Sequence, residues 1–205
     1  MIIMNIWFAT NNIHKKNELQ VCLQAVIPGI LVKIPSQEGL NFNPYESGSE
    51  FYENTLIKAR ELYNLLGNNE PVIADDSGLC VDSLDGRPGV HSAIYGYKND
   101  IKITSHEQNM LLLDELGDKQ IRTARFVCSM VLFFGNERFF IVQETLEGEI
   151  VKKSDMKGSG GFGYDPVFYV PEYCRTLAEL SVQEKNIISH RGKAGKKIAE
   201  YLLNS

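Results

Sequence analysis

The stretch Val72-Ile73-Ala74-Asp75-Asp76-Ser77-Gly78 constrains the chain more than any other. Its apolar residues predict a buried strand, and that strand runs into two adjacent carboxylates, a hydroxyl and a glycine. A strand ending in acids fixes negative charge at a rigidly supported point. Successive strand side chains point to opposite faces, so Asp75 and Asp76 enter one site together only if the backbone turns there, and one of them is expected to be the principal ligand. Two carboxylates this close raise one pKa unless a cation intervenes, and a Mg²⁺ ion would resolve the conflict. A tight turn in which both side chains accept backbone N–H bonds accounts for the same residues. From this stretch alone both readings stand.

Before it, residues 2–9 predict a buried strand, followed by the polar run Thr10-Asn11-Asn12-Ile13-His14-Lys15 and a helix with Leu19, Leu23 and Val26 on its apolar side, closed by Pro28-Gly29. A strand entering a polar loop and then a helix presents unpaired N–H groups and the positive end of the helix dipole to an anion, and Lys15 adds a full charge. An ordinary connection with an Asn cap is the alternative. The G-x-x-x-x-G-K-[ST] pattern of a Walker A loop is absent. Residues 30–34 predict a short strand. Ser47 and Glu50 have capping-box spacing for a helix over about 49–66, ended by Gly67. On that helix Phe51, Leu56, Ala59 and Tyr63 form an apolar stripe, while Glu53, Asn54 and Lys58 share a polar face that is either functional or simply solvated.

Beyond the acids, Asp85-Gly86-Arg87-Pro88-Gly89 reads as a rigid loop, and Thr104 with Glu107 as a capping box for a helix ending at Gly117. Residues 122–134 and 138–144, joined around Gly135-Asn136, predict a β-hairpin whose Phe126, Val127, Met130, Val131 and Leu132 are core. The densest glycine cluster, Gly158-Ser159-Gly160-Gly161-Phe162-Gly163-Tyr164-Asp165-Pro166, lets backbone approach a flat ligand. Within it Phe162 or Tyr164 offers a stacking surface, and Asp165 an acceptor for a sugar hydroxyl or exocyclic N–H. A strand over 167–170 follows. The tail carries Lys185, Ser189-His190-Arg191-Gly192-Lys193 and a helix with Ala194, Ile198 and Leu202 on one side. A basic turn at a helix N-terminus is unfavourable unless an anion or ligand offsets it, which hints at function.

Composition limits the partners. At 205 residues with 43% hydrophobic content, the chain is long enough for one domain, with room for two lobes sharing a cleft. Lys plus Arg total 21 against 26 Asp plus Glu, a net charge of −5, so no global basic field draws it to nucleic acid or an anionic membrane. Any nucleotide must be gripped locally. Cys22, Cys80, Cys128 and Cys174 lie far apart with no C-x-x-C pair and read as reduced small hydrophobes, not as a disulfide framework or zinc site. The N-terminal residues 1–9 lack a basic region and read as no signal peptide, and no segment reaches the ~18 apolar residues of a membrane span. A cytoplasmic location is therefore expected.

Taken together, these motifs resemble the inosine/xanthosine triphosphate pyrophosphatase family, house-cleaning enzymes that hydrolyse deaminated purine nucleoside triphosphates. The matching segments are Thr10 to Lys15, Phe51-Tyr52-Glu53-Asn54 with Lys58-Ala59, Ala74-Asp75-Asp76-Ser77-Gly78-Leu79, Gly86-Arg87-Pro88-Gly89-Val90, Gly160 to Pro166 and Ser189-His190-Arg191-Gly192. They occur in the family's order between residues 10 and 192. The resemblance implies an α/β fold with a mixed, elongated central sheet flanked by helices and two lobes around a nucleotide cleft, a single pyrophosphatase domain over 1–205, Mg²⁺ dependence and a homodimer. It further implies that Thr10, Asn11, Asn12, Ile13, His14 and Lys15 grip the triphosphate, with Lys58 as a further phosphate contact. Glu46 and Asp76 would hold the metal, and Asp76 would also be the general base. Ser77 would contact substrate, Phe162, Gly163, Tyr164, Asp165 and Lys185 would line the nucleotide site, and His190 with Arg191 would read the base. Two positions depart from the family pattern. Asn11 replaces a frequent Gly and is expected to keep its left-handed turn, and Ile94 replaces an Arg common in bacterial members.

Overall fold

The computed structural model describes residues 4–99, 101–135, 137–158 and 160–204. Seven strands form one sheet in the order β2-β1-β3-β4-β5-β6-β7. They are β1 (Asn5–Phe8), β2 (Leu31–Lys33), β3 (Val72–Val81), β4 (Thr123–Phe133), β5 (Phe139–Ile150), β6 (Phe168–Val170) and β7 (Arg175–Thr176). β1 runs parallel to β2 and β3, whereas β6 runs antiparallel to β5 and β7, so the sheet is mixed as expected. The helices are α1 (Ile13–Gln24), α2 (Phe51–Leu65), α3 (Ser105–Leu116), α4 (Val182–Ile188) and α5 (His190–Asn204). The chain divides into two compact units, Met1–Asp76 with Cys128–Glu144 and Ser189–Ser205, and Ser77–Val127 with Thr145–Ile188.

In the first unit, strand alternation sorts the core into two layers. Ile6, Phe8 and Ile73 join Cys128, Met130 and Leu132 against Leu19 and Leu23 of α1 and Ala194, Ile198 and Ala199 of α5. The intervening Trp7, Ala9, Val72 and Ala74 join Val131 and Phe133 against Ala59 and Leu62 of α2. Fully burying a large apolar side chain stabilises by ~1.5–3 kcal/mol, so each layer pins the strands' facing. A Cβ on Gly195 would lie 3.2 Å from Cys22 Cβ and 3.3 Å from Leu19 Cδ1, which lets α5 pack closely on α1. The second unit has its own core, in which Leu79, Val81, Leu112, Leu116, Phe126, Leu146, Val167, Phe168 and Leu177 are buried.

Several expectations need correction. The strand holding the acids does not end at them: β3 continues to Val81, so Asp75 and Asp76 lie mid-strand and no turn reverses them. Residues 2–9 shorten to Asn5–Phe8, with Ile2 and Ile3 outside the described residues, and 30–34 shorten to Leu31–Lys33. The α2 cap is one turn later than Ser47 and Glu50. Glu53 reaches back, accepting from the backbone N–H groups of Ser49 (2.8 Å) and Glu50 (3.1 Å). Glu53 therefore caps the helix and is absent from the polar face with Asn54 and Lys58, both of which are buried. The Thr104–Glu107 capping box of α3 forms as predicted. β5 extends well past residue 144, and Asn136 of the expected hairpin turn lies outside the described residues. All four cysteines are free thiols, although Cys174 is exposed rather than core. No helix among the described residues is long and apolar enough to cross a membrane.

Candidate active site

Alternation along β3 decides the site's layout. Ile73 faces the α1 and α5 layer, so Asp75, two residues on, faces it too, and Asp76 faces α2 with Val72 and Ala74. The ion pairs follow that division. Asp75 Oδ1 accepts from Lys15 Nζ of α1 (3.0 Å), and its Oδ2 accepts from Arg191 Nε of α5 (3.1 Å). Asp76 Oδ1 accepts from Lys58 Nζ of α2 (2.8 Å), and its Oδ2 from Asn54 Nδ2 (3.3 Å).

The same Lys58 ammonium lies 2.8 Å from Glu46 Oε2. The half-exposed loop that carries Glu46 is tied to α2 by Asn54, whose Oδ1 accepts from Gly48 N–H at 2.8 Å. A Cβ on Gly48 would come within 2.7 Å of that oxygen, so glycine is required for the approach. Glu46 and Asp76 thus converge on one cation. Magnesium is usually held by one or two carboxylates plus waters and substrate phosphates, and these two acids fit that demand. Among the described residues no group of three or more His, Cys, Asp or Glu is placed to hold a metal.

Electrostatics separates the two acids. Burial alone would raise Asp75, but Lys15, Arg191 and Lys58 outweigh it and hold its carboxyl well below the usual range. For Asp76 burial prevails: its carboxyl is raised despite Lys58 and Lys15, with Glu46 pushing in the same direction as burial. Burial would lower Lys58, yet Asp76, Glu46 and Asp75 hold it above its ordinary value and protonated. Arg191 is likewise raised, its burial outweighed by Asp75 and Glu18. Cys128 lies 3.9 Å from Asp75 Oδ2, and burial with that neighbouring charge keeps the thiol protonated.

The loop before α1 adopts the Asn-capped form. Asn12 Oδ1 accepts from the N–H groups of His14 (2.9 Å) and Lys15 (3.3 Å), and Thr10 Oγ1 accepts from Asn12 N–H (3.1 Å). Asn11 does not adopt the expected left-handed backbone; its side chain donates to Phe42 O at 2.7 Å instead. Ile13 is 41% exposed at the mouth of this turn. His190 and Arg191 are both buried and form the first turn of α5 rather than a turn preceding it. Arg191 also donates from Nη1 to Glu18, so its fork is oriented by two carboxylates. Asn54 and Glu18 belong to the cluster although the sequence reading assigns neither a site role. Asn54 had a signal in its placement one turn before Lys58; Glu18 had none, since its partner lies 173 residues away.

In the second unit the aromatic loop is built around Asp165, whose Oδ2 accepts from Phe162 N–H (2.8 Å) and Lys185 Nζ (2.7 Å). Lys185 Nζ also stands 4.7 Å from the centre of the Phe162 ring. Tyr164 is a buried core residue whose hydroxyl donates to Ser92 O (2.9 Å), so of the pair only the half-buried Phe162 has ring surface open to a ligand. Gly163 is half-buried between them, and Ser159 lies outside the described residues. Ser77 follows Asp76 on β3 and is half-buried, and Ile94 is a 55% exposed apolar side chain.

Comparison with known proteins adds an independent line. The sequence model of the Ham1 family matches residues 6–201. The chain is 44% identical to the dITP/XTP pyrophosphatase of Treponema denticola, over 98% of this chain and 100% of that relative. Its fold is similar to a HAM1 protein from Coxiella burnetii, with a TM-score of 0.85 at 37% identity over 98% of this chain and 100% of that one. The Staphylococcus aureus Ham1 protein superimposes with a TM-score of 0.83 at 36% identity over 98% of each chain.

Proposed function

The chain belongs to the Ham1 family, and from that premise we propose that it hydrolyses deaminated purine nucleoside triphosphates (dITP, ITP and XTP) to the monophosphate and pyrophosphate, clearing them from the nucleotide pool. The observation that carries this reading is the convergence of Glu46 and Asp76 on one cation, 2.8 Å from each.

Asp76 takes the proton of the water that attacks the α-phosphorus; the new P–O bond forms as the α–β anhydride bond breaks, and its electron pair leaves with pyrophosphate. Glu46 and Asp76 would hold Mg²⁺ together with the substrate phosphates, and the ion would supply charge that polarises the phosphate and acidifies the water. Lys15 and Lys58, with the positive end of the α1 dipole behind the Thr10 to Lys15 turn, offset charge on the leaving group. Ser77 contacts the substrate, and Phe162, Gly163, Tyr164, Asp165 and Lys185 take the nucleoside.

His190 and Arg191 read the base. Arginine only donates, so a guanidinium aimed at position 6 suits the oxo group of hypoxanthine or xanthine and opposes the amino group of adenine. Asp75 and Glu18 hold that fork, and Asp75 also holds Lys15. On this reading Asp75 is a positioning residue rather than a base. The enzyme is further proposed to be a single pyrophosphatase domain over residues 1–205, acting as a cytoplasmic homodimer without nucleic-acid or membrane partners.

The deciding experiment incubates the protein with ITP and Mg²⁺ and identifies the products by anion exchange. IMP with pyrophosphate is expected. IDP with orthophosphate would make it a γ-phosphatase, and binding without product a nucleotide-binding module.

A further inference from the structure

Helix α3 carries two consecutive buried amides. Gln108 is 6% exposed and Asn109 2%, while Leu112, Leu113 and Leu116 of the same helix fill the second unit's core. Buried amides are unfavourable unless bonded, so their partners indicate their use. Gln108 Nε2 donates to Tyr95 O (3.0 Å) and Ala93 O (3.3 Å). Asn109 Nδ2 donates to Gly163 O (3.1 Å), in the middle of the aromatic loop.

Among its described residues that loop has no strand ladder to define it. Gly161 and Gly163 take positive φ (+70° and +63°) on either side of Phe162. At Gly161 a Cβ would meet Asp165 Oδ2 at 2.0 Å, so the turn closes tightly on its own carboxylate. At Gly163 a Cβ would find no heavy atom within 4 Å, so only backbone conformation selects glycine there. Bonds from outside hold three consecutive loop residues, Asn109 at Gly163, Ser92 O at the Tyr164 hydroxyl and Lys185 at Asp165, while Gly160 N–H donates to Ala178 O; of these, Asn109 alone bonds the backbone between Phe162 and Tyr164. Ser92 is itself fixed, its Oγ accepting from Leu79 N–H and donating to Gly89 O, and the adjoining Ala93 to Tyr95 segment is fixed by Gln108.

Asn109 Oδ1 is buried and accepts a hydrogen bond from no described residue. An apolar side chain would avoid leaving that acceptor unpaired, so the bond to Gly163 is what an amide offers at this position. We propose that Asn109, with Gln108 beside it, is a positioning residue that sets the conformation of the aromatic loop and through it the affinity for the nucleoside, without touching substrate. This rests on the reading of Phe162 to Asp165 and Lys185 as the nucleoside site.

The test compares wild type with Asn109→Asp, which is isosteric but lacks the donor, and Asn109→Leu, which lacks both donor and unpaired acceptor. Thermal melts identify which variants fold; the leucine variant keeps the test available if the aspartate does not. Hydrogen–deuterium exchange of ligand-free protein should show faster exchange in the peptide covering 160–165 with the α3 peptide unchanged. KM for ITP should rise about three- to tenfold with kcat within about twofold, the range expected for one lost hydrogen bond. In a Phe162→Ala background the same substitution should add little further to KM, because both act through one loop. Unchanged exchange at 160–165, or KM effects that simply add, would overturn the proposal. Absence of ITP turnover by wild type would instead refute the functional reading, leaving the exchange measurement to judge Asn109.

Discussion

At the scale of single residues, the two adjacent aspartates have opposite duties because a strand gives them opposite faces. Asp76→Asn should lower kcat for ITP by ~10²–10⁴, the contribution of a general base, with the melting temperature shifted only slightly, because burial already disfavours its charge and Lys58 keeps Glu46 as a partner. Near-normal turnover with Mg²⁺ would remove Asp76 from the mechanism. Asp75→Asn should behave differently. Removing one partner from a buried ion cluster typically destabilises by ~3–5 kcal/mol, because Lys15 and Arg191 are left facing a neutral amide. Calorimetry should therefore show a large loss of stability for Asp75→Asn that Asp76→Asn lacks; equal melting temperatures would show that Asp75 is no organiser of the cluster. Arg191→Ala should reduce kcat/KM for ITP more than for ATP, and an equal loss on both would show that it does not read the base.

At the scale of elements, what is local in the chain is legible in the sequence and what is distant is not. The Thr104–Glu107 box lies within one turn, and α3 starts where it predicts. Thr104→Ala should cost about 1 kcal/mol in denaturant unfolding with nucleotide turnover preserved. The α2 box forms one turn beyond Ser47 and Glu50 because Ser47, Glu50 and Glu53 offer overlapping registers, and only the fold of the 46–50 loop onto Asn54 selects the last. Local pattern ends β3 at its acids because charge rarely lies mid-strand, whereas their interior position depends on partners 60 and 116 residues away, which no local pattern announces. The motif residues were nonetheless legible, and Lys15, Glu46, Lys58, Asp75, Asp76 and Arg191 do gather in one unit. Capping also sets an acid limit. Backbone N–H bonds lower the carboxyls of Glu53, Glu107, Glu179 and Glu184, the last to about 2 from 4.5. A lowered folded-state pKa contributes stability above the unfolded value, so these caps should hold above pH 4.5 and be lost as pH falls toward 2. Melting temperature should decline across that window, and a Glu184→Gln variant should decline less steeply.

At the scale of the whole molecule, the charge balance dictates how a triphosphate is received. The chain carries −5 overall, and each cation of the site's ion-pair cluster already faces a carboxylate: Lys15 faces Asp75, Lys58 faces Asp76 and Glu46, and Arg191 faces Asp75 and Glu18. Four acids against three bases leave that cluster one negative charge in excess. A bare triphosphate would meet net repulsion there and would have to compete with the protein's own carboxylates for each lysine. A divalent cation reverses the sign of the excess and gives Glu46, Asp76 and the phosphates a common partner. Titration calorimetry of ITP should therefore show binding at least about tenfold weaker in EDTA than in Mg²⁺, a difference of ~1.4 kcal/mol or more, with turnover lost. Restoring Mg²⁺ should recover both. Equal affinity with and without the metal would mean that Lys15 and Lys58 leave their carboxylates to neutralise the phosphates unaided, and the role given to Glu46 would then fall.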